Sequence, residues 1–393
     1  MKPIVLVVGT RAEAIKLVPL YLKLKEENIS TYLCGTFQHF EMLQQVFDLF
    51  NVVPDFNLGI MKANQDLFYV HLEALQKTKE VYLQLKPSLV VVHGDTTTTL
   101  AAALAAFYLQ IPIAHVEAGL RTGNIYSPFP EEMNRKVVGQ IATYHFSPTA
   151  LSTANILSEG VCRENVFCTG NTIVDALQLV KNKILNKEIL IDLDLLLKID
   201  ACKKQKKKII LLTAHRRESF SGGIDRIFLA VKEFVNKHSD VVVFYPYHPN
   251  PNVLKALDAS GLRNIENVFV MPPLIYKDLV YLLMVSDFVA TDSGGIQEEA
   301  VSLGKRVLCL RDITERHEGV WEGIEVLVGT DTNKIFEGLK KFYFSIDNSV
   351  GSSSVYGDGN ACKRIVSILK DKLNLNISNE LIRKSSLRLE NLK

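Results

Sequence analysis

The sequence lacks the features that mark several large protein classes. Its six cysteines contain no CxxC pair and no zinc-like Cys/His spacing, so neither a disulfide framework nor a zinc site is expected. No stretch approaches the roughly 18 consecutive apolar residues of a membrane span, and the apolar run in "MKPIVLVVGT" is too short for a signal peptide. These absences predict a cytoplasmic protein with buried thiols and no membrane partner.

The sequence also has no excess of charge of one sign. The formal net charge is +2, whereas nucleic-acid binders normally concentrate a marked positive excess. No loop is dense enough in Asp, Asn and Glu to hold a hard metal ion. The sequence therefore predicts neither a nucleic-acid partner nor a metal, and any anion that it binds is expected to be small.

The chain does contain a regular alternation of short apolar runs and longer amphipathic runs. Examples are "PIVLVV" followed by a helical pattern to about residue 26, and "SLVVV" followed by "TTTTLAAALAAFYLQ". Strands this apolar have no solvent-exposed face, so they predict parallel sheets covered by helices on both sides. The fold class predicted is α/β, with two doubly wound Rossmann-like domains that face a cleft.

The alternation of apolar and amphipathic runs is interrupted once, near the expected domain boundary. Residues 183–208 are rich in Lys, Leu and Asp and predict a connecting helix and a solvated junction. The last helical pattern, "NACKRIVSILKDKLNLN", is expected to pack back on the first unit. The predicted domains are therefore residues 1–172 plus 366–393, and residues 173–365.

Ligands of open α/β sheets bind at the carboxyl ends of the strands. "TDSGGIQEEA" follows such a strand, and Ser293, Gly294 and Gly295 open a helix where glycines allow a phosphate to approach the backbone amides. The alternative is an ordinary helix N-cap. The stretch is neither GxGxxG nor a P-loop, which disfavours a dinucleotide site or a P-loop kinase.

Ionisable residues follow other predicted strands. Asp95, Glu117 and Glu131 are expected to converge at one sheet edge, near Arg135. Several acids with a nearby arginine allow proton transfer, because like charges and burial raise some carboxyl pKa values while cations lower others. In "TAHRRES", His215 beside Arg216 and Arg217 is a candidate general acid or phosphate donor.

The stretch "GTRAEAIK" carries Arg11 and Lys16 on the opening turns of a helix. Free backbone N–H groups and the positive end of the helix dipole favour an anion there. A solvated helix start is the competing interpretation.

Taken together, these motifs resemble the non-hydrolysing UDP-N-acetylglucosamine 2-epimerases of bacterial cell-surface polysaccharide pathways. The resemblance extends from about residue 5 to 370 and rests on motifs in the same order: "GTRAEAIK", "VHGDTTTT", "HVEAGLRTGNIYSPFPEEMNR", "TGNTIVDAL", "TAHRRES", "TDSGGIQEEA" and "RDITER". It implies a glycosyltransferase-B-like fold, a cleft that holds UDP, a homodimer, and inversion at sugar C2 without NAD or another cofactor. UDP would be eliminated to give 2-acetamidoglucal and then added back.

The resemblance also implies roles for individual residues. Asp95, Glu117 and Glu131 would be the acid/base residues, with His215 assisting near the phosphates. UDP or the sugar of a UDP-N-acetylhexosamine would be held by Arg11, Lys16, Arg135, His215, Ser293, Gly294, Gly295, Glu299 and Arg316. Activation by a second substrate molecule would involve Gln38, Glu131, Arg216 and His248.

Three positions depart from the family pattern. Ala12 and His317 stand where the family usually has proline, and Lys277-Asp278-Leu279 replaces the usual Pro-Phe. The last change leaves open what contacts the uracil and which acetamido sugar is used. A glycosyltransferase that uses a UDP-sugar, a hydrolysing epimerase and a non-enzymatic nucleotide-sugar sensor are the rival interpretations.

Overall fold

The computed structural model describes residues 2–38, 40–345, 351 and 353–373, and describes only the backbone of Arg217. Within these residues the chain forms two sheets whose strand pairs are all parallel. The first has the order β3-β2-β1-β4-β5-β6-β7 and the second has the order β10-β9-β8-β11-β12-β13. In each sheet the chain first adds strands on one side of a central strand, β1 or β8, and then crosses to add the rest on the other side, as in doubly wound folds. The predicted α/β class is confirmed.

The first sheet is built from short, apolar strands. They are β1 (Ile4–Val8), β2 (Thr31–Gly35), β3 (Phe56–Asn57), β4 (Leu89–His93), β5 (Ile113–Val116), β6 (Tyr144–Ser147) and β7 (Val166–Cys168). The helices that accompany them are α1 (Arg11–Glu26), α2 (Phe40–Phe50), α3 (Leu67–Leu85), α4 (Thr97–Tyr108), α5 (Glu131–Ile141) and α6 (Ala150–Ser158). Every residue of β1 and β4 is buried, as expected of strands that are covered on both faces.

The second sheet repeats this plan. Its strands are β8 (Lys208–Thr213), β9 (Val241–Pro246), β10 (Val268–Met271), β11 (Phe288–Thr291), β12 (Arg306–Cys309) and β13 (Glu325–Leu327). The helices from the end of the first sheet onward are α7 (Thr172–Leu185), α8 (Leu193–Lys204), α9 (Gly223–Lys237), α10 (Pro251–Ser260), α11 (Tyr276–Val285), α12 (Gly294–Ser302), α13 (His317–Trp321), α14 (Thr332–Tyr343) and α15 (Ala361–Lys372).

The last helix returns to the first sheet. α15 packs on α1 and α7, and Lys370 forms an ion pair with Glu27, with 2.5 Å between Nζ and Oε2. Asp175 of α7 accepts hydrogen bonds from the backbone N–H groups of Ala361 and Cys362, at 3.1 and 2.8 Å. The carboxylate thus caps the start of α15. Residues 374–393 of the predicted first domain lie outside the described residues, and the domain boundaries stay a prediction.

The junction at residues 183–208 contains more structure than one connecting helix. It holds the end of α7, the whole of α8 and the first residue of β8. α8 buries Leu195, Ile199 and Cys202. None of the helices in the described part of the chain has the length and apolarity needed to cross a membrane.

Candidate functional site

A cavity of about 460 Å³ lies between the carboxyl ends of the two sheets. Its lining comes from both units and includes nearly every residue predicted to act: Arg11, Lys16, Asp95, Glu117, Glu131, Arg135, His215, Arg216, His248, Ser293, Gly294, Gly295, Glu299 and Arg316. Gln38 is absent from this lining; its Oε1 accepts a hydrogen bond from Thr98 Oγ1 at 3.3 Å. The expected convergence of acids and helix N-termini in one crevice is therefore present.

The start of α1 is fixed by a capping box. The Thr10 hydroxyl accepts from the Glu13 N–H, and the Glu13 carboxylate accepts from the N–H groups of Gly9 and Thr10, at 3.0 and 2.7 Å. Glu13 also accepts hydrogen bonds from the hydroxyls of Thr96 and Thr99, at 2.7 and 2.9 Å. It therefore ties the first turn of α1 to that of α4.

The two cations of α1 have different partners. Arg11 reaches across the cavity and donates to the Leu274 carbonyl oxygen at 2.9 Å. Lys16 forms a buried ion pair with Glu117. Lys16 was expected to hold UDP, and in the structure its ammonium group faces a carboxylate from the end of β5.

Glu117 combines an unusual backbone with a strongly cationic setting. Its φ is 60°, a left-handed conformation uncommon for a residue other than glycine. The carboxylate also lies 3.8 Å from His93 Nε2. Burial alone would raise the pKa of Glu117, but the charge of its partner Lys16 holds it below the ordinary value. Glu117 is therefore ionised at neutral pH.

The second pair of predicted acids lies at the start of α5 and the end of β4. Asp95 is held by Arg135, with 2.6 Å between Oδ2 and the nearest guanidinium nitrogen. Arg135 also pairs with the fully buried Glu132 at 3.0 Å. Glu131 Oε2 has no hydrogen-bond partner among the described residues, and burial, followed by the charge of Asp95, raises the pKa of Glu131. The environments of Glu117 and Glu131 thus shift their pKa values in opposite directions.

His215 is oriented by an acid that the sequence analysis did not single out. Asp292, at the end of β11, accepts from the backbone N–H groups of His215 and Arg216, at 2.6 and 2.7 Å. Its second oxygen lies 3.2 Å from His215 Nδ1. The His215 ring stacks on that of His248, with 5.2 Å between centroids. The side chain of Arg217 lies outside the described part of the chain.

The α12 N-terminus is shaped by its two glycines and by Arg316. A Cβ on Gly294 would lie 2.2 Å from the Arg316 guanidinium, whereas one on Gly295 would meet nothing within 4 Å. Arg316 is itself held by Glu298 at 2.7 Å and by Glu315 at 2.5 Å. Gly294 therefore makes room for the arginine, and Gly295 leaves the helix N-terminus open to the cavity.

A buried hydrogen bond joins α11 to α12 at one side of the cavity. The Tyr276 hydroxyl donates to Glu299 Oε1 at 2.5 Å, and burial raises the pKa of Glu299 to about 7. Tyr276, which immediately precedes the divergent Lys277-Asp278-Leu279, lines the cavity. It is an aromatic residue that the sequence analysis did not place in the site.

Other site residues were also missed. His93 and Asn171 lie inside motifs that were noted for their neighbours, and the Thr10-x-x-Glu13 spacing is a readable capping-box signal. Glu315 likewise lies inside "RDITER", which was noted for Arg316. Among the described residues there is no group of three or more His, Cys, Asp and Glu side chains that is placed to hold a metal ion.

The chain is similar to a large set of known proteins. The model of the family described as UDP-N-acetylglucosamine 2-epimerase matches residues 22–370. The UDP-N-acetylglucosamine 2-epimerase of Yersinia pestis is 46% identical over 370 residues, which cover 93% of this chain and 97% of that protein.

Solved structures agree with the sequence comparison. The UDP-GlcNAc 2-epimerase of Neisseria meningitidis, solved with UDP-GlcNAc bound, is 42% identical with a TM-score of 0.85, over 94% of this chain and 100% of that one. MnaA of S. aureus, solved with UDP, is 38% identical with a TM-score of 0.87, over 95% and 98%. The fold is therefore glycosyltransferase-B-like, and the chain belongs to the UDP-N-acetylglucosamine 2-epimerase family.

Proposed function

We propose that this protein is a non-hydrolysing UDP-N-acetylglucosamine 2-epimerase, an isomerase that interconverts UDP-GlcNAc and UDP-ManNAc for cell-surface polysaccharide synthesis. The observation that carries the proposal is a single cavity in which carboxylates of opposite pKa shift face an open helix N-terminus and several cations. Relatives with this activity in their names, and one solved with UDP-GlcNAc, support the substrate.

The chemistry needs a base, an acid and an anion site. A carboxylate removes the C2 proton, the C–H electrons form the C1–C2 double bond, and the anomeric C–O bond breaks with its electrons leaving on UDP. Return of UDP to C1 and delivery of a proton to the other face of C2 complete the inversion. No net oxidation or reduction occurs.

We infer the proton-transfer roles from the surroundings of the two acids. Glu117 is ionised and is the base that takes the C2 proton in one direction. Glu131, with its raised pKa and an Oε2 that has no hydrogen-bond partner in the described part of the chain, is the acid that delivers a proton from the other side. Asp95 and His215 would complete the set of catalytic residues, and His215, whose ring lies 3.2 Å from Asp292, would assist near the diphosphate.

UDP must stay bound between the two halves of the reaction. The N–H groups of Gly294 and Gly295 at the start of α12, together with Arg11, would stabilise the charge that develops on the departing diphosphate. The Ser293 N–H donates to the Thr291 hydroxyl at 2.9 Å, so Ser293 would contribute through its side chain. Lys16, Arg135 and Arg316 are held in carboxylate pairs and would add positive potential beside it. Glu299 would accept hydrogen bonds from the sugar or ribose.

Several parts of the proposal rest on the family resemblance. They are a homodimer, a cytoplasmic location, the two domain boundaries and activation by substrate through Gln38, Glu131, Arg216 and His248. The close stacking of His215 and His248 supports contact between the activating site and the catalytic site.

The activity is tested by proton NMR of UDP-GlcNAc incubated with the protein in D2O. We expect deuterium at C2 in both UDP-GlcNAc and UDP-ManNAc, with the sugar still attached to UDP. Free N-acetylmannosamine would instead identify a hydrolysing epimerase. An unlabelled UDP-sugar would contradict the proposal, because a transferase or a sensor leaves the C2 proton in place.

The two adjacent glycines of α12 give a matched pair of variants. Gly294→Ala should destabilise the folded protein by about 1–3 kcal/mol, because the methyl group overlaps the Arg316 guanidinium, which is held on two sides. Gly295→Ala should leave the melting temperature unchanged and weaken UDP binding, because its methyl group enters the open cavity. Calorimetry and UDP titration check both, and equal effects on stability would contradict this assignment.

Arg11 is the cation whose removal should affect UDP most selectively. Arg11→Met should weaken UDP binding by about 10- to 100-fold, since a hydrogen bond to a charged group contributes about 1.5–3 kcal/mol. The fold should tolerate the change, because Arg11 donates to a carbonyl group and the nearby Glu299 has a pKa of about 7 and accepts a proton readily. Binding is measured by calorimetric titration with UDP, with Arg163→Met, outside the cavity, as the control. Unchanged affinity would remove Arg11 from the proposed anion site.

A further inference from the structure

Asn171 lies where the chain passes from the first sheet to α7, and it joins two carboxylates from the two units. Its Nδ2 donates to Glu117 Oε2 at 2.7 Å and to Glu298 Oε2 at 2.9 Å. The residue is 1% exposed. The bond to Glu117 lies within the first unit and the bond to Glu298 reaches the second unit, so the two occur together only when the units face each other as they do here.

The orientation of the amide is fixed by its other atoms. Asn171 Oδ1 accepts the backbone N–H of Ile173 at 3.0 Å and so caps α7. The Asn171 backbone N–H donates to the Tyr356 carbonyl oxygen at 2.7 Å. A flipped amide would point its oxygen at two carboxylates and lose the cap, so the NH2 group must face Glu117 and Glu298.

The two carboxylates belong to different units. Glu117 is paired with Lys16 in the first unit, and Glu298 is paired with Arg316 in the second. Two buried carboxylates that approach each other repel, and each also loses hydration. An amide with two donors satisfies one oxygen of each without adding charge.

We propose that Asn171 is a positioning residue that aims the Glu117 carboxylate at the substrate and couples that aim to the Arg316 side of the cavity through Glu298. This inference rests on the proposed function, because it needs Glu117 to be the proton-transfer group. Asn171 does not line the cavity and is not proposed to contact the substrate.

Asn171→Asp separates this role from helix capping. Aspartate keeps a side-chain oxygen for the Ile173 N–H and is a good N-cap, so a purely structural role predicts nearly wild-type activity. The positioning role predicts a fall in kcat of about 100-fold at pH 9, since a misplacement of about 1 Å can have this effect. KM should change less than about threefold, because the lost interaction does not contact the substrate.

The pH profile gives the second readout. The new carboxyl lies between Glu117 and Glu298, so like charges favour its protonated form. As the pH falls, it regains a proton and one donor, and the ratio of wild-type to variant kcat should decrease toward about tenfold at pH 6. Asn171→Ser, which is neutral and keeps a capping oxygen, should show a loss of about tenfold that is the same at every pH.

The matched control is Asn186→Asp. Asn186 is exposed at the other end of α7, and its amide also donates to a carboxylate, Glu188 Oε1, at 3.0 Å. This variant should keep the wild-type kcat and pH profile. Wild-type kcat in Asn171→Asp and Asn171→Ser, or an Asn171→Asp deficit that is constant with pH, would overturn the inference. Absence of C2 deuterium exchange in the wild-type protein would instead overturn the proposed function.

Discussion

Replacing Glu117 with glutamine should lower kcat by about 10²- to 10⁴-fold, the usual contribution of a general acid or base. Glutamine keeps the shape and one acceptor oxygen for Lys16 and Asn171, but it cannot take the C2 proton. The rate of deuterium entry at C2 of UDP-GlcNAc in D2O should fall by the same factor as kcat, because the variant fails at proton removal.

The variant also removes the counter-charge of a buried lysine, so folding must be measured in parallel. UDP affinity and circular dichroism should remain close to those of the wild type, while the melting temperature falls because Lys16 loses its partner. Glu159→Gln is the control, since Glu159 pairs with Arg121 at 2.7 Å and does not line the cavity. A Glu117→Gln protein that keeps more than about a tenth of the wild-type exchange rate would show that another group takes the proton.

The sheets were predictable because their strands are nearly continuous apolar runs. Several elements were not among the predictions, and two of them, β6 and α3, show why. β6 is only Tyr144–Ser147, "YHFS", and a four-residue strand with polar side chains resembles a loop. α3 buries Val70, Ala74 and Val81 but exposes Phe68 and Leu72, so apolar residues on both faces obscure its period.

The sequence predicted which strand ends form the candidate site, but not which side chains pair with each other within it. The carboxyl ends of parallel strands meet at one edge, so the motifs after β1, β4, β5, β8 and β11 were expected to converge. Local spacing carries no information about which charges pair, because Lys16 and Glu117 are 101 residues apart and Asn171 and Glu298 are 127 apart. Lys16 was therefore expected on UDP, and its carboxylate partner became visible only in three dimensions.

The buried charges around Arg316 make its removal the most destabilising single change that we expect. Arg316→Met should lower the free energy of unfolding by about 3–5 kcal/mol, because it leaves the buried Glu298 without its paired cation. Glu315 also loses a partner but keeps its ion pair with Arg311, at 2.7 Å. The double variant Arg316→Met/Glu298→Gln should recover part of this loss, since it removes the unpaired carboxylate of Glu298. Urea denaturation of the single and double variants measures both effects.

The stability deficit of Arg316→Met should also change with pH in a definite direction. Burial already raises the pKa of Glu298 in the wild type, and Arg316 is the main charge that opposes this shift. In Arg316→Met the pKa of Glu298 therefore rises further above that of the unfolded chain, so the folded variant binds more protons than its unfolded form. The stability of the variant should therefore rise as the pH falls from 8 toward 5, and its deficit relative to the wild type should shrink. Arg263→Met, which removes an exposed pair with Asp258 at 3.2 Å, should change the unfolding free energy by less than about 1 kcal/mol. An Arg316→Met deficit as small as this, or one that grows as the pH falls, would mean that the carboxylates of α12 and the following loop are not held by this arginine.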